Sequence, residues 1–240
     1  MEDKKIVLVI LDGWGHGDKK NSDAIHHANT PFIDSLYTKY PNSELLTNGE
    51  NVGLPKGQMG NSEVGHLNIG AGRIVYQDLA KINIACANNS IAAMENLKKT
   101  FQYVKENNKA LHLIGLVSDG GIHSHQNHLY KICELANKAK LKNVFIHAFT
   151  DGRDTDPKSG KRVIKKLEKK LFGAEIISIC GRYYAMDRDK RWERVKKSYD
   201  LMVNGKGEKS QNLLESIQKS YDIGVTDEFI KPIIKVDKKG

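Results

Sequence analysis

The most constraining feature of this chain is a regular strand-loop-helix alternation in its second half, without any internal sequence repeat. A short apolar run ends in a polar loop, and residues at helical spacing follow. Ala110 to Val117 ends in Ser118-Asp119-Gly120-Gly121, Val144 to Phe149 in Thr150-Asp151-Gly152-Arg153-Asp154, and Glu175 to Cys180 in Gly181-Arg182. Between and around them Met94, Leu97, Phe101 and Val104 keep helical spacing. So do Leu129, Ile132, Cys133 and Ala136, then Val163, Ile164, Leu167 and Leu171, and then Trp192, Val195, Tyr199 and Met202. Such alternation predicts an α/β fold with a mostly parallel sheet and right-handed crossovers. Ligands of such sheets bind off the carboxyl ends of the strands.

The first half is organised differently. Ile6 to Leu11 is continuously apolar and predicts a strand buried on both faces of a parallel sheet. It ends in Asp12-Gly13-Trp14-Gly15, where Asp12 is either a metal ligand or a turn residue feeding Gly13. Thr30-Pro31 opens a helix with Phe32, Ile33, Leu36 and Tyr40 on its apolar face. A long polar stretch from Tyr40 to Gly60 follows. Five glycines and one serine then occupy the sixteen residues from Gly57 to Gly72. Glycines allow close backbone approach to a ligand. Ser62 stands where this loop turns into a helix over Glu63 to Asn68, so it fits two roles. It is an N-cap, or a nucleophile beside an anion held by free backbone N–H groups. Ile74 to Asn89 is mixed, and a composition shift near Val75 or Tyr76 marks a boundary between residues 1–75 and 76–240.

Composition narrows the function classes. With 39% hydrophobic and 28% charged residues the chain reads as globular, and its longest apolar run is too short to span a bilayer. Glu2 and Asp3 precede that run and no small-residue cleavage site follows, so it does not read as a signal peptide. Cys86, Cys133 and Cys180 form no pair motif, which points to a reduced, cytoplasmic setting. The net charge of +9 attracts acidic partners. Many of the lysines fall in helical stretches such as Lys161 to Lys170, and no aromatic-basic interleaving for stacking nucleic acid is present. A small phosphorylated substrate suits the charge.

The strand ends carry the candidate chemistry. His123, His125 and His128 follow the first, Asp151, Arg153 and Asp154 the second, and Arg182 with Arg188 the third. Converging on one crevice, they make a pocket for a small anion bearing hydroxyls, because arginine grips phosphate and carboxylate bidentately. Read singly, Arg153-Asp154 and Arg188-Asp189 are also surface ion pairs. Asp119, His123, His125 and His128 could alternatively form a metal cluster.

Together these segments resemble the cofactor-independent phosphoglycerate mutases. The matching motifs are Leu11-Asp12-Gly13-Trp14-Gly15, Gly57 to His66, Ser118 to His125, Asp151-Gly152-Arg153-Asp154-Thr155, and Gly181 to Asp189. The resemblance runs from Ile6 to about Ile234. It implies an alkaline-phosphatase-like domain, here its N-terminal segment only, with an inserted α/β phosphotransferase domain. It also implies two manganese ions, a phosphoserine intermediate on Ser62, and interconversion of 3- and 2-phosphoglycerate in glycolysis. By motif match Asp12 and Ser62 contact metal. His123, Arg153, Asp154, Arg182 and Arg188 hold the substrate, with Asp154 as a base toward the glycerate hydroxyls.

Members of that family are roughly twice this length, a size suited to two domains. Their further metal ligands, an Asp-x-x-x-His, an Asp-His pair and another His, lie in the part of the family pattern this sequence does not cover; Asp119 to His123 has the first spacing, but its position belongs to the substrate loop. So are a later arginine motif and a substrate lysine. The expectation is therefore an N-terminal part of such an enzyme, inactive by itself and monomeric at full length. It would have no nucleic-acid or membrane partner, and the lysine-bearing segment Lys231 to Gly240 would be an unfinished element. A phosphatase or phosphopentomutase-like relative, and a polyanion-binding domain, are the alternatives.

Overall fold

The structure is a computed structural model that describes residues 5–237. Glu2, Asp3 and the last three residues of the Lys231–Gly240 segment lie outside the described residues. The chain divides into two compact units, Met1–Gln77 and Asp78–Gly240.

The first unit contains α1 (Ala24–His27), α2 (Pro31–Lys39) and α3 (Ser62–Ala71). Pro31 opens α2 as its position predicts, but none of the α2 side chains is buried, and Phe32 on its apolar face is 72% exposed. The small core of the unit is Val52, Leu54 and Val64. Asn68 staples α3 to its surroundings. Its amide donates to the Val52 carbonyl at 3.1 Å and its oxygen accepts from Val75 N–H at 2.7 Å. Gly53, at φ 81°, lies against Val75 so closely that an added Cβ would stand 2.1 Å from the Val75 carbonyl oxygen. The strand expected over Ile6–Leu11 is not formed: the run has no regular secondary structure and no ladder partner among the described residues, and Ile6 is 91% and Val9 73% exposed. A strand exists only by pairing, and no other strand occurs among the described residues of this unit.

The second unit holds a five-stranded sheet in the order β1-β2-β3-β5-β4. β1 (Leu111–Leu116), β2 (Val144–Thr150) and β3 (Glu175–Gly181) are parallel, with Leu111 opposite Val144 and Thr150 opposite Gly181. β5 (Ile233–Lys235) pairs antiparallel with β3 and parallel with β4 (Glu208–Ser210). The expectation of an unfinished element after Lys231 is thus corrected, because Ile233 is buried in the sheet beside Ile179. Three-residue strands give too little alternation to be read from sequence. The mixed stretch Ile74–Asn89 contains α4 (Asp78–Ala87), whose Ala80 and Ala85 are buried.

One face of the sheet packs into the main core. There Ile146, Ala148 and Ile179 meet Val104 of α5 (Glu95–Glu106), Cys133 and Ala136 of α6 (Gln126–Lys138), Ile164 and Leu167 of α7 (Gly160–Glu168), and Ile217 of α10 (Leu213–Asp222). On the other face Leu116, Phe149 and Cys180 pack against Tyr184 of α8 (Arg182–Ala185) and Leu201 of α9 (Trp192–Asn204). Burial pushes the Cys180 thiol up to about 12, so it is a packing group rather than a nucleophile. The layout brings the carboxyl ends of β1, β2 and β3 together and leaves their loops free to carry chemistry.

Candidate active site

Two clusters of polar side chains stand out, one in each unit. In the first, the helix start is capped by Asn61, not Ser62: the Asn61 side chain accepts from Val64 N–H at 3.1 Å. The capping role open to Ser62 is therefore taken by its neighbour, and Ser62 is the first helical residue. Its Oγ lies 2.5 Å from Asp12 Oδ2 and 3.1 Å from His66 Nδ1, which is also 2.9 Å from the Ser62 carbonyl oxygen. A hydroxyl has one proton to give. With that proton on the short bond to Asp12, His66 Nδ1–H is the donor toward the two serine oxygens. His66 belongs to the glycine-rich motif, and its i+4 spacing from Ser62 was the signal that it shares a helix face with the serine.

Ser62 Oγ and Asp12 are oxygen donors of the kind hard divalent cations take. They fit as part of a ligand set, and only as part. Among the described residues no group of three or more His, Cys, Asp or Glu side chains could hold a metal ion. The alternative metal cluster near Asp119 is not assembled, because each member is otherwise engaged. Asp119 accepts from Arg162 at 2.8 Å, His125 caps α6 by accepting from Asn127 N–H, and His128 Nε2 lies 2.6 Å from Asn83 Oδ1.

The second cluster is built around Asp151, a residue at the end of β2 that is 3% exposed. Its Oδ2 accepts from the Ser118 hydroxyl at 2.6 Å. Its Oδ1 accepts from the N–H groups of Arg153 at 3.1 Å and Asp154 at 3.0 Å, and from Arg182 Nη1 at 2.6 Å. The same Nη1 donates to Asp154 Oδ2 at 2.6 Å, and His123 Nδ1 lies 2.7 Å from that oxygen. His123, Asp154 and Arg182 are thus brought together, from the ends of all three parallel strands. Burial pushes the Asp151 carboxyl up, but the donors around it, Asp154 N–H first, outweigh that and hold it below the ordinary carboxylate range. Asp154 behaves likewise: burial raises it, and Arg182 and His123 more than offset the effect. Both acids stay ionised near neutral pH.

The three arginines differ in setting. Arg182 is 8% exposed and locked between two carboxylates. Arg153 is more exposed, and its Nη1 lies 3.6 Å from Glu228. Arg188 lies on the exposed loop after α8, whose backbone is shaped by Asp187 accepting from Asp189 N–H and Arg191 N–H at 3.2 and 2.8 Å. Neither Arg153-Asp154 nor Arg188-Asp189 forms the neighbouring ion pair that either dipeptide suggests. Sequence reading did not single out Asp151 as the organiser, or Glu228 at all, since nothing in a lone Asp-Glu-Phe run signals contact with Arg153, 75 residues earlier in the chain.

Comparison with known proteins gives the family of the chain. Residues 82–240 match the family model described as the BPG-independent PGAM N-terminus. The chain is 58% identical over 239 residues to a 2,3-bisphosphoglycerate-independent phosphoglycerate mutase of Bacteroides thetaiotaomicron, covering 99% of this chain and 47% of that protein. It is 51% identical over 237 residues to the enzyme of the same name from Clostridium perfringens, covering 98% of the chain and 46% of that protein. The chain therefore spans about half the length of the relatives it matches. Crystal structures of Leishmania mexicana phosphoglycerate mutase at low cobalt concentration superpose with a TM-score of 0.71 at 35% identity, over 96% of this chain and 44% of that one. A mostly parallel α/β sheet, strand-end acids and arginines, and a family match across both the sheet and its loops lead to one conclusion: this chain belongs to the N-terminal family of BPG-independent phosphoglycerate mutases.

Proposed function

We propose that this chain supplies the nucleophile and much of the substrate grip of an enzyme interconverting 3-phosphoglycerate and 2-phosphoglycerate. In this reading residues 1–75 are the N-terminal segment of a phosphatase-like domain and residues 76–240 the inserted phosphotransferase domain. The observation that carries it is the Ser62 Oγ–Asp12 Oδ2 contact of 2.5 Å at a helix start already capped by Asn61. A serine relieved of capping and hydrogen-bonded to a carboxylate is poised to lose its proton.

The steps follow from these groups. Ser62 passes its proton to Asp12 as its Oγ attacks phosphorus, the phosphorus–oxygen bond to the substrate 3-oxygen breaks, and the phosphoryl group rests on Ser62 at the positive end of α3 while the electron pair stays on the 3-oxygen. The glycerate turns in place. Ionised Asp154 takes the proton of the 2-hydroxyl and hands it to the freed 3-oxygen, the 2-oxygen attacks the phosphoserine, and the bond from phosphorus to Ser62 Oγ breaks as the serine recovers its proton from Asp12. Arg153, Arg188 and His123 hold the anionic substrate, while Arg182 fixes Asp154. When bound, two divalent ions, manganese in this reading, would neutralise charge developing on the phosphoryl oxygens, with Asp12 and Ser62 holding part of their coordination. Three unpaired cysteines and the lack, among the described residues, of a helix able to cross a membrane support a soluble cytoplasmic setting. The protein would be a monomer at full length, with no nucleic-acid partner.

The test is a pair of assays on the complete enzyme. Ser62→Ala should abolish 2-phosphoglycerate formation while leaving the melting temperature unchanged, because Asn61 keeps the cap. Turnover surviving that substitution would refute the role of Ser62. This chain alone, given manganese, is expected to be inactive.

A further inference from the structure

Behind the Asp151–Asp154 loop and Arg182 runs a segment from Thr226 to Ile230, which forms a short 3-10 turn at Asp227–Phe229. Three glycines pack directly onto it: Gly152 in the loop after β2, Gly160 at the start of α7 and Gly181 at the end of β3. An added Cβ would stand 2.8 Å from Glu228 N at Gly152, 2.4 Å from Asp227 Oδ1 at Gly160, and 2.3 Å from the Glu228 carbonyl oxygen at Gly181. Asp227 is fully buried and bonded on every side. Its Oδ2 accepts from Gly160 N–H at 2.7 Å, and its Oδ1 accepts from the Tyr221 hydroxyl. Its carbonyl accepts from Thr150 Oγ1 at 2.7 Å, and its N–H donates to the Pro157 carbonyl at 2.9 Å. Gly181 N–H donates to the Ile230 carbonyl at 2.8 Å. The backbone carrying Glu228 is therefore held rigidly against the site.

From that base the Glu228 side chain, 19% exposed, reaches Arg153 Nη1 at 3.6 Å. The separation is an ion pair longer than a hydrogen bond, so Glu228 takes up none of the guanidinium N–H donors. A long arginine on an exposed loop otherwise loses rotamer freedom when it binds an anion. We propose that Glu228 is a positioning residue: it holds the Arg153 guanidinium in place by charge from a braced backbone, without occupying the donors that grip substrate. Its kinetic consequence rests on the mutase reading above. Its structural consequence does not.

The test compares wild type, Glu228→Gln and Glu228→Asp in the complete enzyme. Melting temperature, kcat and KM for 3-phosphoglycerate, and the mobility of the Arg153 side chain by Nε–H heteronuclear NOE are read together. Arg153→Lys identifies the signal. Glu228→Gln should leave the melting temperature unchanged, turn an ordered Arg153 signal into a mobile one, and raise KM about threefold to fivefold, the size of a partly exposed ion pair. In that variant kcat should stay within about twofold. Glu228→Asp keeps the charge and should recover part of the KM loss. Equal Arg153 mobility in wild type and Glu228→Gln would overturn the proposal, as would an unchanged KM in an active enzyme. If wild type forms no 2-phosphoglycerate, the mutase reading fails, and the Arg153 mobility still decides whether Glu228 positions it.

Discussion

Replacing Arg182 by methionine is the sharpest perturbation the second unit offers. The side chain is 8% exposed and its Nη1 sits 2.6 Å from carboxylates that are themselves 3% and 11% exposed. Methionine fills a similar volume but leaves Asp151 and Asp154 facing each other with no cation. Breaking a buried pair from one side costs about 3–5 kcal/mol, which for a domain of this size lowers the melting temperature by about 10 °C. The pH dependence makes the argument specific. In wild type both carboxyls are held below their ordinary value of 3.8, so their stabilisation is present above that pH and is lost as pH falls through the lower folded values. Without Arg182 the burial of both acids is less well offset and they rise; acidification toward pH 4 then relieves the variant, while wild type keeps its stabilisation until the pH falls below 3.8. Urea melts of wild type and Arg182→Met at pH 7 and near pH 4 should therefore show a large gap that narrows with acid. Arg182→Lys, which keeps the charge but not the planar fork, should fall between them. A gap independent of pH, or smaller than about 1 kcal/mol at pH 7, would refute the reasoning, since the threshold for an exposed pair is that low.

Other perturbations follow from the same geometry. Gly181→Ala forces a methyl to within 2.3 Å of a backbone oxygen that cannot swing away, and should cost about 1–3 kcal/mol in a denaturant melt. Gly60→Ala places a Cβ 1.7 Å from the Thr47 carbonyl oxygen two residues before Ser62, and should cut turnover of the complete enzyme by displacing the serine. Arg188→Ala, on an exposed loop where it makes no ion pair among the described residues, should raise KM for phosphoglycerate without changing stability. A lowered melting temperature in that variant would show that Arg188 is structural.

The parts of this fold that were legible in sequence are those whose burial is satisfied locally. β1, β2 and β3 announce themselves because each is an apolar run of six or seven residues ending in polar loops. β5 does not, since Ile233–Lys235 is short and its place beside β3 depends on a chain reversal with no turn signature. Ile6–Leu11 shows the opposite failure: the pattern is right for a buried strand, but pattern does not supply neighbours, and the run is left exposed. In the site, His123, Asp154 and Arg182 were readable because strand ends converge. Asp151 was visible only as one acid among several until its four donors were seen. Ser62 was ambiguous for a precise reason of chemistry, since asparagine and serine cap equally well and only geometry shows which of two adjacent residues does so.

The account stands or falls on where phosphate goes. Quenching the complete enzyme during turnover with 3-phosphoglycerate and mapping its phosphopeptides by mass spectrometry should find a phosphoryl group on Ser62, and none on that peptide in Ser62→Ala. Phosphate on a different residue, or no phosphoenzyme while substrate is being converted, would contradict it.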